Sequence, residues 1–580
     1  MKKLSKVLSV MIVSAMLLSL AACGSSGDTS SSTTSSQTST SSATTTSTIA
    51  EKDTETGLPM MADRNDPVTF NVFLRDPGQA PSKDNPVIKK ITELTGVTIN
   101  FEFLVGDLAQ KVGVMIAGGD YPDAIFGGEP AKFIEAGALI PMEDKLLNYP
   151  NLKRHYSPQM EIMKAGFGDG HAYTIENYNL YESVPPIFQN GGAGFFIQKA
   201  VLEESGYRIP KTVDEYFKLI DDYKVKHPTL DGVKTIGFEI LCDGWRDFCL
   251  RNPAMHLVGS GNEGDVIVDQ NTFTSSLYQT TDTAKSYYKK LSEEYQKGTI
   301  EAETFTENYD QYIARLSSGA VLGIFDQYWN FSKADDALKA AGKFSSTYIS
   351  VPIANPGVKD NYIDPPAVTI SGTGGIIITK NCKNVDRLLA FYDYLLNRDV
   401  QDYLQWGVEG KDYVKVGTNG KKLTDERRAI IRDTAKRRDT TGDTLWQYTP
   451  KMQGLYEDGS PCGPGDSKDE YMAALSVYDQ NFLKACNIEF PAQMLSEPVK
   501  RPAYYPVWSF PIEDGSPAKV ANTRFIEICK KYDPQLVLAK PAEYDALWNK
   551  FLKEIEASNP QPYLDEVNRQ IKAKMDVAKK

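Results

Sequence analysis

Four short stretches combine a tryptophan with side chains that give or take hydrogen bonds. "CDGWRDF" sets Trp245 between Asp243 and Arg246, and "FDQYWN" sets Trp329 beside Asp326 and Asn330. "QWGVEGKDY" puts Trp406 three residues before Glu409, and "RPAYYPVWSF" adds Tyr505 and Trp508. An indole or phenol ring offers a flat apolar face, while carboxylate, amide and guanidinium groups offer directed hydrogen bonds at its rim. A sugar calls for both, because its C–H faces stack on rings and its hydroxyls pair with planar polar groups. With 31 Tyr and 6 Trp in the chain, any single tryptophan taken alone reads as core packing before it reads as a ligand contact. The expectation is that at least two of the loop set line a cleft.

The loops after "TFNVFL" and "DAIF" hold Arg75, Asp76 and Glu129. In open α/β sheets ligands sit at the carboxyl ends of strands, which makes these three the polar candidates on the opposing side. Arg75 and Asp76 read alternatively as a solvated turn.

Other chemistries find little support. There is no nucleophile elbow, P-loop or HExxH motif. The body cysteines Cys242, Cys249, Cys382, Cys462, Cys486 and Cys529 form no CxxC, and His155, His171, His227 and His256 have no metal-like spacing to them. "KHPTLDGVKTIGFE" lacks the alternating carboxylates of a calcium loop, so Asp231-Gly232 reads as a turn. No metal and no cofactor are predicted, and the protein reads as a non-enzyme. With 76 acidic residues, the carboxyl pair of a glycoside hydrolase stays open as an alternative. The net charge of −12 disfavours nucleic acid, whose phosphates call for clustered Lys and Arg. Cys242 and Cys249 are the one pair close in sequence, either bridged or free.

The N-terminus has a plan of its own. Lys2, Lys3 and Lys6 precede an apolar run over residues 7 to 22 that ends in small residues, as in a secretory signal peptide. Leu20-Ala21-Ala22-Cys23 resembles the bacterial lipobox, which makes Cys23 the predicted lipidation site and the new N-terminus. Two acyl chains hold a protein on a membrane where one binds only marginally. The Ser/Thr/Gly stretch that follows has no apolar surface to offset ordering entropy and reads as a tether, or as an O-glycosylated stalk of the same composition.

The elements that must position the candidate groups follow from periodicity. "PVTFNVFL" reads as a buried strand, "PVIKKITELTG" as a helix with Pro86 in its first turn and Gly96 as its stop. "VTINFEF" alternates strictly and puts Val97, Ile99, Phe101 and Phe103 on one face. A helix over "LAQKVGVMIAGG" and a short strand "DAIFG" continue a βαβ series, which predicts a parallel sheet. A second such unit begins near residue 193. There Thr212 and Glu215 predict a capping box, and Val213, Tyr216, Phe217 and Ile220 fall on one helical face. "AVLGIFDQYWN" reads as a strand running into an aromatic loop, and the C-terminal third as mostly helical. The predicted fold class is α/β with two lobes.

The order of "GGDYPDAIFG", "GALIPMED", "IQKAVLEESGYRIPKTVDEYFKLI", "GIFDQYWN", "ITKNCKNVDRLLAFYDYLL" and "QWGVEGKDY" resembles the extracellular solute-binding lipoproteins of carbohydrate ABC importers, in their large Gram-positive branch. The resemblance covers most of residues 67 to 580. It implies a two-lobe, periplasmic-binding-protein-like fold with a hinge and a ligand cleft between lobes. The implied division is a signal peptide over 1–22, lipidated cysteine and tether over 23–62, lobe one over 67–190 plus 365–440, and lobe two over 191–364 plus 441–580. The implied function is a monomeric receptor, lipid-anchored on the outer face of the bacterial cytoplasmic membrane, that hands an oligosaccharide to the importer's membrane subunits. Some relatives carry an aromatic where this chain has Gly127 and Gly128, so stacking is expected from lobe two. The alternatives are a lipid-anchored glycoside hydrolase and a peptide-binding receptor of similar design.

Overall fold

Two sheets organise the chain. In the computed structural model, residues 51–579 are described apart from 179, 181, 185–186 and 360–369; the expected signal peptide and the expected lipidation site Cys23 lie outside the described residues. The first sheet contains β1 (Val68–Leu74), β2 (Val97–Phe103), β3 (Ala124–Phe126) and β4 (Thr174–Ile175). The second contains β5 (Ala193–Gln198), β6 (Ile236–Glu239), β7 (Val321–Gln327) and β8 (Tyr348–Val351). The chain then returns to the first sheet with β9 (Ile376–Ile378).

The predicted βαβ series is present. β1 pairs in parallel with β2, from Val68 opposite Val97 to Leu74 opposite Phe103, and with β3 on its other side. The intervening helix Pro86–Thr95 begins at Asn85, whose side chain accepts from the amides of Val87 and Ile88, and stops at Gly96 in the left-handed region. A side chain at Gly96 would strike the Arg64 carbonyl, which is why glycine stands there. Val97 and Phe101 of β2 are buried in the first core and Ile99 and Phe103 pack against it.

The second sheet departs from the parallel expectation. β5 runs antiparallel to both β7 and β8, and only β6 and β7 are parallel. In the first sheet β9 is likewise antiparallel to β3 and β4. β5 and β9 are the strands that follow a crossing from one sheet to the other. A chain entering from the edge where its neighbours end must run away from that edge, opposite to them. The helix Val213–Lys226 buries Tyr216, Phe217 and Ile220 as its periodicity predicts. Its capping box is half made: Thr212 accepts from the Glu215 amide, but the Glu215 carboxylate accepts from the Lys211 amide instead.

Each sheet has its own core. The first unites Phe70, Val72 and Leu74 with Ile376 and Ile378, and extends beyond residue 440 to Leu445, Met452, Tyr456 and Cys462. The second unites Phe195 and Ile197 with Tyr216, Ile220 and the C-terminal Phe525, Trp548, Phe551 and Tyr563. The folded body starts earlier than the expected end of the tether at residue 62. Leu58 is buried in the first core, the Met61 amide donates to the Leu94 carbonyl, and Lys90 pairs with Glu55. The polar composition upstream does not extend to "GLPMM", which supplies the apolar surface that docks.

Thr229–Leu230 and Val233–Lys234 form a two-residue hairpin whose turn is Asp231-Gly232, both at positive φ. This is the turn expected from the sequence, and the Asp231 carboxylate pairs with Lys343 at 2.8 Å. The six body cysteines are free thiols, Cys242 and Cys249 included.

Candidate ligand-binding site

The strand directions define one edge on each sheet. β1, β3 and β4 all end at the edge that carries Arg75, Asp76, Glu129 and residues 176–178. β6 and β7 end at the edge that carries Asp243, Trp245 and Trp329, where β5 starts.

On the second sheet the predicted residues converge. Trp245 lies in a 3-10 turn, Gly244–Asp247, and Trp329 in the first turn of the helix Tyr328–Ala340, where an aromatic loop was expected. Their rings lie 5.9 Å apart and 13° from parallel, with Phe248 beside both at 5.9 Å from Trp245 and 6.2 Å from Trp329. Trp245 is 60% and Trp329 51% exposed, so two large apolar faces stand open to water with no core to fill. Gln327 accepts from the Trp329 indole N–H at 2.8 Å. The Arg246 guanidinium sits between the rings of Trp245 and Tyr309, 4.6 and 4.2 Å from their centres. Nε of Arg246 donates to Asn330 Oδ1 at 3.2 Å.

Asp326 holds this arrangement from below. It is fully buried, and accepts from the Tyr312 hydroxyl, the Gln327 amide, the Asn330 side chain and the Cys249 thiol. Burial pushes its carboxyl up to about 6, against the pull of those donors. Expected as a ligand contact, Asp326 is instead out of a ligand's reach. It fixes Asn330, and Asn330 fixes Arg246.

On the first sheet Arg75 and Asp76 are exposed and 3.6 Å apart. The Arg75 stem lies across Gly127, where a Cβ would come within 2.8 Å of Arg75 Cδ. Gly127 has φ 63°, so alanine there is strained as well as crowded. Gly127→Ala is expected to destabilise by about 1–2 kcal/mol and to displace the Arg75 guanidinium, read as a lower unfolding midpoint with weaker ligand binding. Glu129 pairs with Lys132 at 2.8 Å, and Lys132 approaches Asp514 of the second lobe at 3.8 Å.

Sequence reasoning missed the rings beside Arg75 and Asp76. Tyr178, three residues past the end of β4, is 37% exposed. Lys451 lies behind it with its ammonium 4.2 Å from the Tyr178 ring centre and 4.0 Å from that of Trp446. Burial pushes Lys451 down to about 7, with Asp443 opposing. Tyr448 closes the base of the group, edge-on to Phe103 and Phe126. Tyr178 and Lys451 are far apart in the chain and neither stands in a motif, so no local pattern marks the pair.

Trp406 and Glu409 are not brought to either edge. Trp406 is completely buried, packs with Tyr413 and Leu423, and donates its indole N–H to the Cys462 carbonyl at 3.1 Å. Glu409 is exposed beside the hairpin that follows and pairs with Lys415 at 2.9 Å. Trp508 is 62% exposed on a segment anchored by Glu263, which accepts from the Val507 amide, and by Thr373 of the first lobe, which donates to the Ser509 carbonyl. It stands at the junction of the lobes.

The model of the family described as bacterial extracellular solute-binding protein matches residues 87–407, more than half of the chain. The chain belongs to that family. Among curated members and relatives, this solute-binding protein is 27% identical over 240 residues to the fructooligosaccharide ABC transporter substrate-binding protein FusA of Streptococcus pneumoniae, covering 40% of this chain and 44% of FusA. It is 23% identical over 354 residues to the lipoprotein LipO of Bacillus subtilis, covering 58% of this chain and 65% of LipO. The match thus spans less than two thirds of either relative's length.

Solved structures of family members extend the likeness to the whole body. A solute-binding protein of Bifidobacterium longum infantis described as binding HMO superposes with a TM-score of 0.61 at 16% identity, over 87% of this chain and 99% of its own. FusA in complex with kestose gives 0.61 at 18% identity, over 88% and 100%. At these identities the likeness establishes the fold, the two-lobe architecture of solute-binding proteins with one lobe built on each sheet.

Proposed function

We propose that this protein is a lipid-anchored extracellular receptor that binds an oligosaccharide between its lobes and delivers it to an ABC importer. The observation that carries the reading is the pair of exposed, nearly parallel indoles at the cleft edge of the second lobe. An aromatic shelf of this size left in water, rimmed by Arg246 and Gln327, suits a ligand with apolar faces and many hydroxyls. Arg75 and Asp76 supply hydrogen-bonding groups from the first lobe. FusA and the Bifidobacterium protein, by their descriptions, bind oligosaccharides on the same fold, which supports that ligand class over peptide. Family membership as a solute-binding protein favours binding over hydrolysis.

A thermal-shift panel of kestose, nystose, neutral milk oligosaccharides, Man5GlcNAc and a control peptide, with chromatography of the sugars afterwards, tests this. Binding at 100 times Kd stabilises the native state by about 2.7 kcal/mol. Stabilisation by a glycan that is recovered intact is the expected result. Turnover would identify a hydrolase, and a response to peptide alone a peptide receptor.

The anchor is Cys23, whose lipobox context and Ser/Thr-rich tether motivate it. No helix among the described residues is long and apolar enough to cross a membrane. Cys23→Ser is expected to move the protein from the detergent phase to the aqueous phase while its glycan-induced thermal shift stays the same. Retention in the detergent phase would count against lipidation.

A further inference from the structure

We infer that Tyr178 is the stacking surface of the first lobe and that Lys451 and Gln447 are the residues that position its ring, so that a neutral oligosaccharide is gripped by aromatic faces from both lobes. The inference rests on the oligosaccharide reading and adds a site residue on the side where Gly127 and Gly128 supply no ring.

Three observations carry it. The first is place. β4 is parallel to β1 and β3 within the sheet, so Tyr178 emerges at the same edge as Arg75 and Asp76. The second is exposure. The neighbours Ile175, Glu176, Asn177 and Leu180 are all buried, and Tyr178 alone among them opens to solvent.

The third is the support behind the ring. The Lys451 side chain is almost entirely buried, and its ammonium stands between Tyr178 and Trp446. Among the described residues no carboxylate lies within ion-pair distance of it. Its polar partner is Gln447, whose Oε1 accepts from Lys451 Nζ at 3.1 Å and whose Nε2 donates to the Tyr178 hydroxyl at 3.0 Å. The Gln447 carbonyl in turn accepts from the Asn177 side chain at 2.9 Å. A buried ammonium without a carboxylate is unfavourable in itself. Here it is held by two aromatic faces, an interaction that strengthens as water is removed. Lys451 therefore occupies one face of Tyr178, Gln447 fixes its hydroxyl end, and the other face is left to the cleft.

The charges at this edge specify the ligand further. Arg75 is paired with Asp76 and Glu129 with Lys132, so the first lobe presents dipoles more than net charge. Hydroxyl groups, which give and accept hydrogen bonds, match that pattern better than a carboxylate or phosphate would.

The experiment uses the full chain and the glycan panel above, with affinity measured by calorimetry and the unfolding midpoint measured without sugar. Tyr178→Ala is expected to weaken binding roughly tenfold or more, and Tyr178→Phe by less, since the ring remains. Lys451→Arg keeps a cation between the rings and is expected to bind like the wild type. Lys451→Met fills the space without charge and is expected to weaken binding several-fold while the midpoint without sugar stays close to that of the wild type. A part played only in packing would move the midpoint and affinity together. Wild-type affinity in Tyr178→Ala, or equal affinity in Lys451→Met and Lys451→Arg, would overturn the inference and leave the oligosaccharide reading intact. Silence of the wild type toward every glycan would overturn that reading and this one with it.

Discussion

Trp245→Ala and Trp329→Ala are each expected to weaken glycan binding by about 2 kcal/mol or more, roughly thirtyfold in Kd, with little loss of stability. Both rings are more than half exposed, so truncation leaves no cavity. What goes is the face on which a sugar would lie and part of the support for its neighbour, since the two indoles stack on each other. Stacked aromatic pairs contribute about 0.5–1.5 kcal/mol beyond their buried area, which bounds the stability change. Because each ring props the other, the double variant is expected to lose less than the sum of the singles. Calorimetry of the three variants with the best glycan, set beside their unfolding midpoints, provides the check. A variant that loses several kcal/mol of stability yet binds normally when folded would return its tryptophan to the core.

Trp406→Ala is expected to do the reverse. Its indole is enclosed by Tyr413 and Leu423, Lys421 lies over the ring at 5.6 Å, and its N–H is bonded to the Cys462 carbonyl. Truncating a buried aromatic of this kind costs about 3–5 kcal/mol, and here it also leaves a buried carbonyl without its donor. Lys421 keeps its ion pair with Asp402 at 2.7 Å, so the loss is one of packing more than of charge. Denaturant unfolding reports the loss, and titration of the folded protein at low temperature is expected to give wild-type affinity. A drop in affinity without a drop in stability would show that Trp406 reaches ligand.

Local patterns in the sequence were enough for the elements that depend on near neighbours. The βαβ series from Val68 to Phe126, the stop at Gly96, the buried face of Tyr216, Phe217 and Ile220, and the turn at Asp231-Gly232 follow from spacing and backbone preference within about a dozen residues. The cationic start, apolar run and Cys23 are likewise a local pattern, as is the order of motifs that resembles the solute-binding family. The pairing of Trp245 and Trp329 with polar neighbours was visible too, because each stretch carries its ring and hydrogen-bonding groups together.

Tertiary structure decided what depends on partners far along the chain. Trp245, Trp329 and Trp406 look alike in sequence, and only the placement of the hairpin around Tyr413 and Leu423 buries the third while the first two stay at a strand edge. Asp326 stands two residues before Tyr328 near the end of β7, but Tyr312 and Asn330 close over it and turn a candidate contact into a support. The antiparallel course of β5 and β9 is set by the crossings between lobes, which no local periodicity records. Tyr178 acquires its setting from Gln447 and Lys451, some 270 residues later. A ring becomes a binding surface through what lies behind it and what leaves its front open, and both are properties of the folded chain.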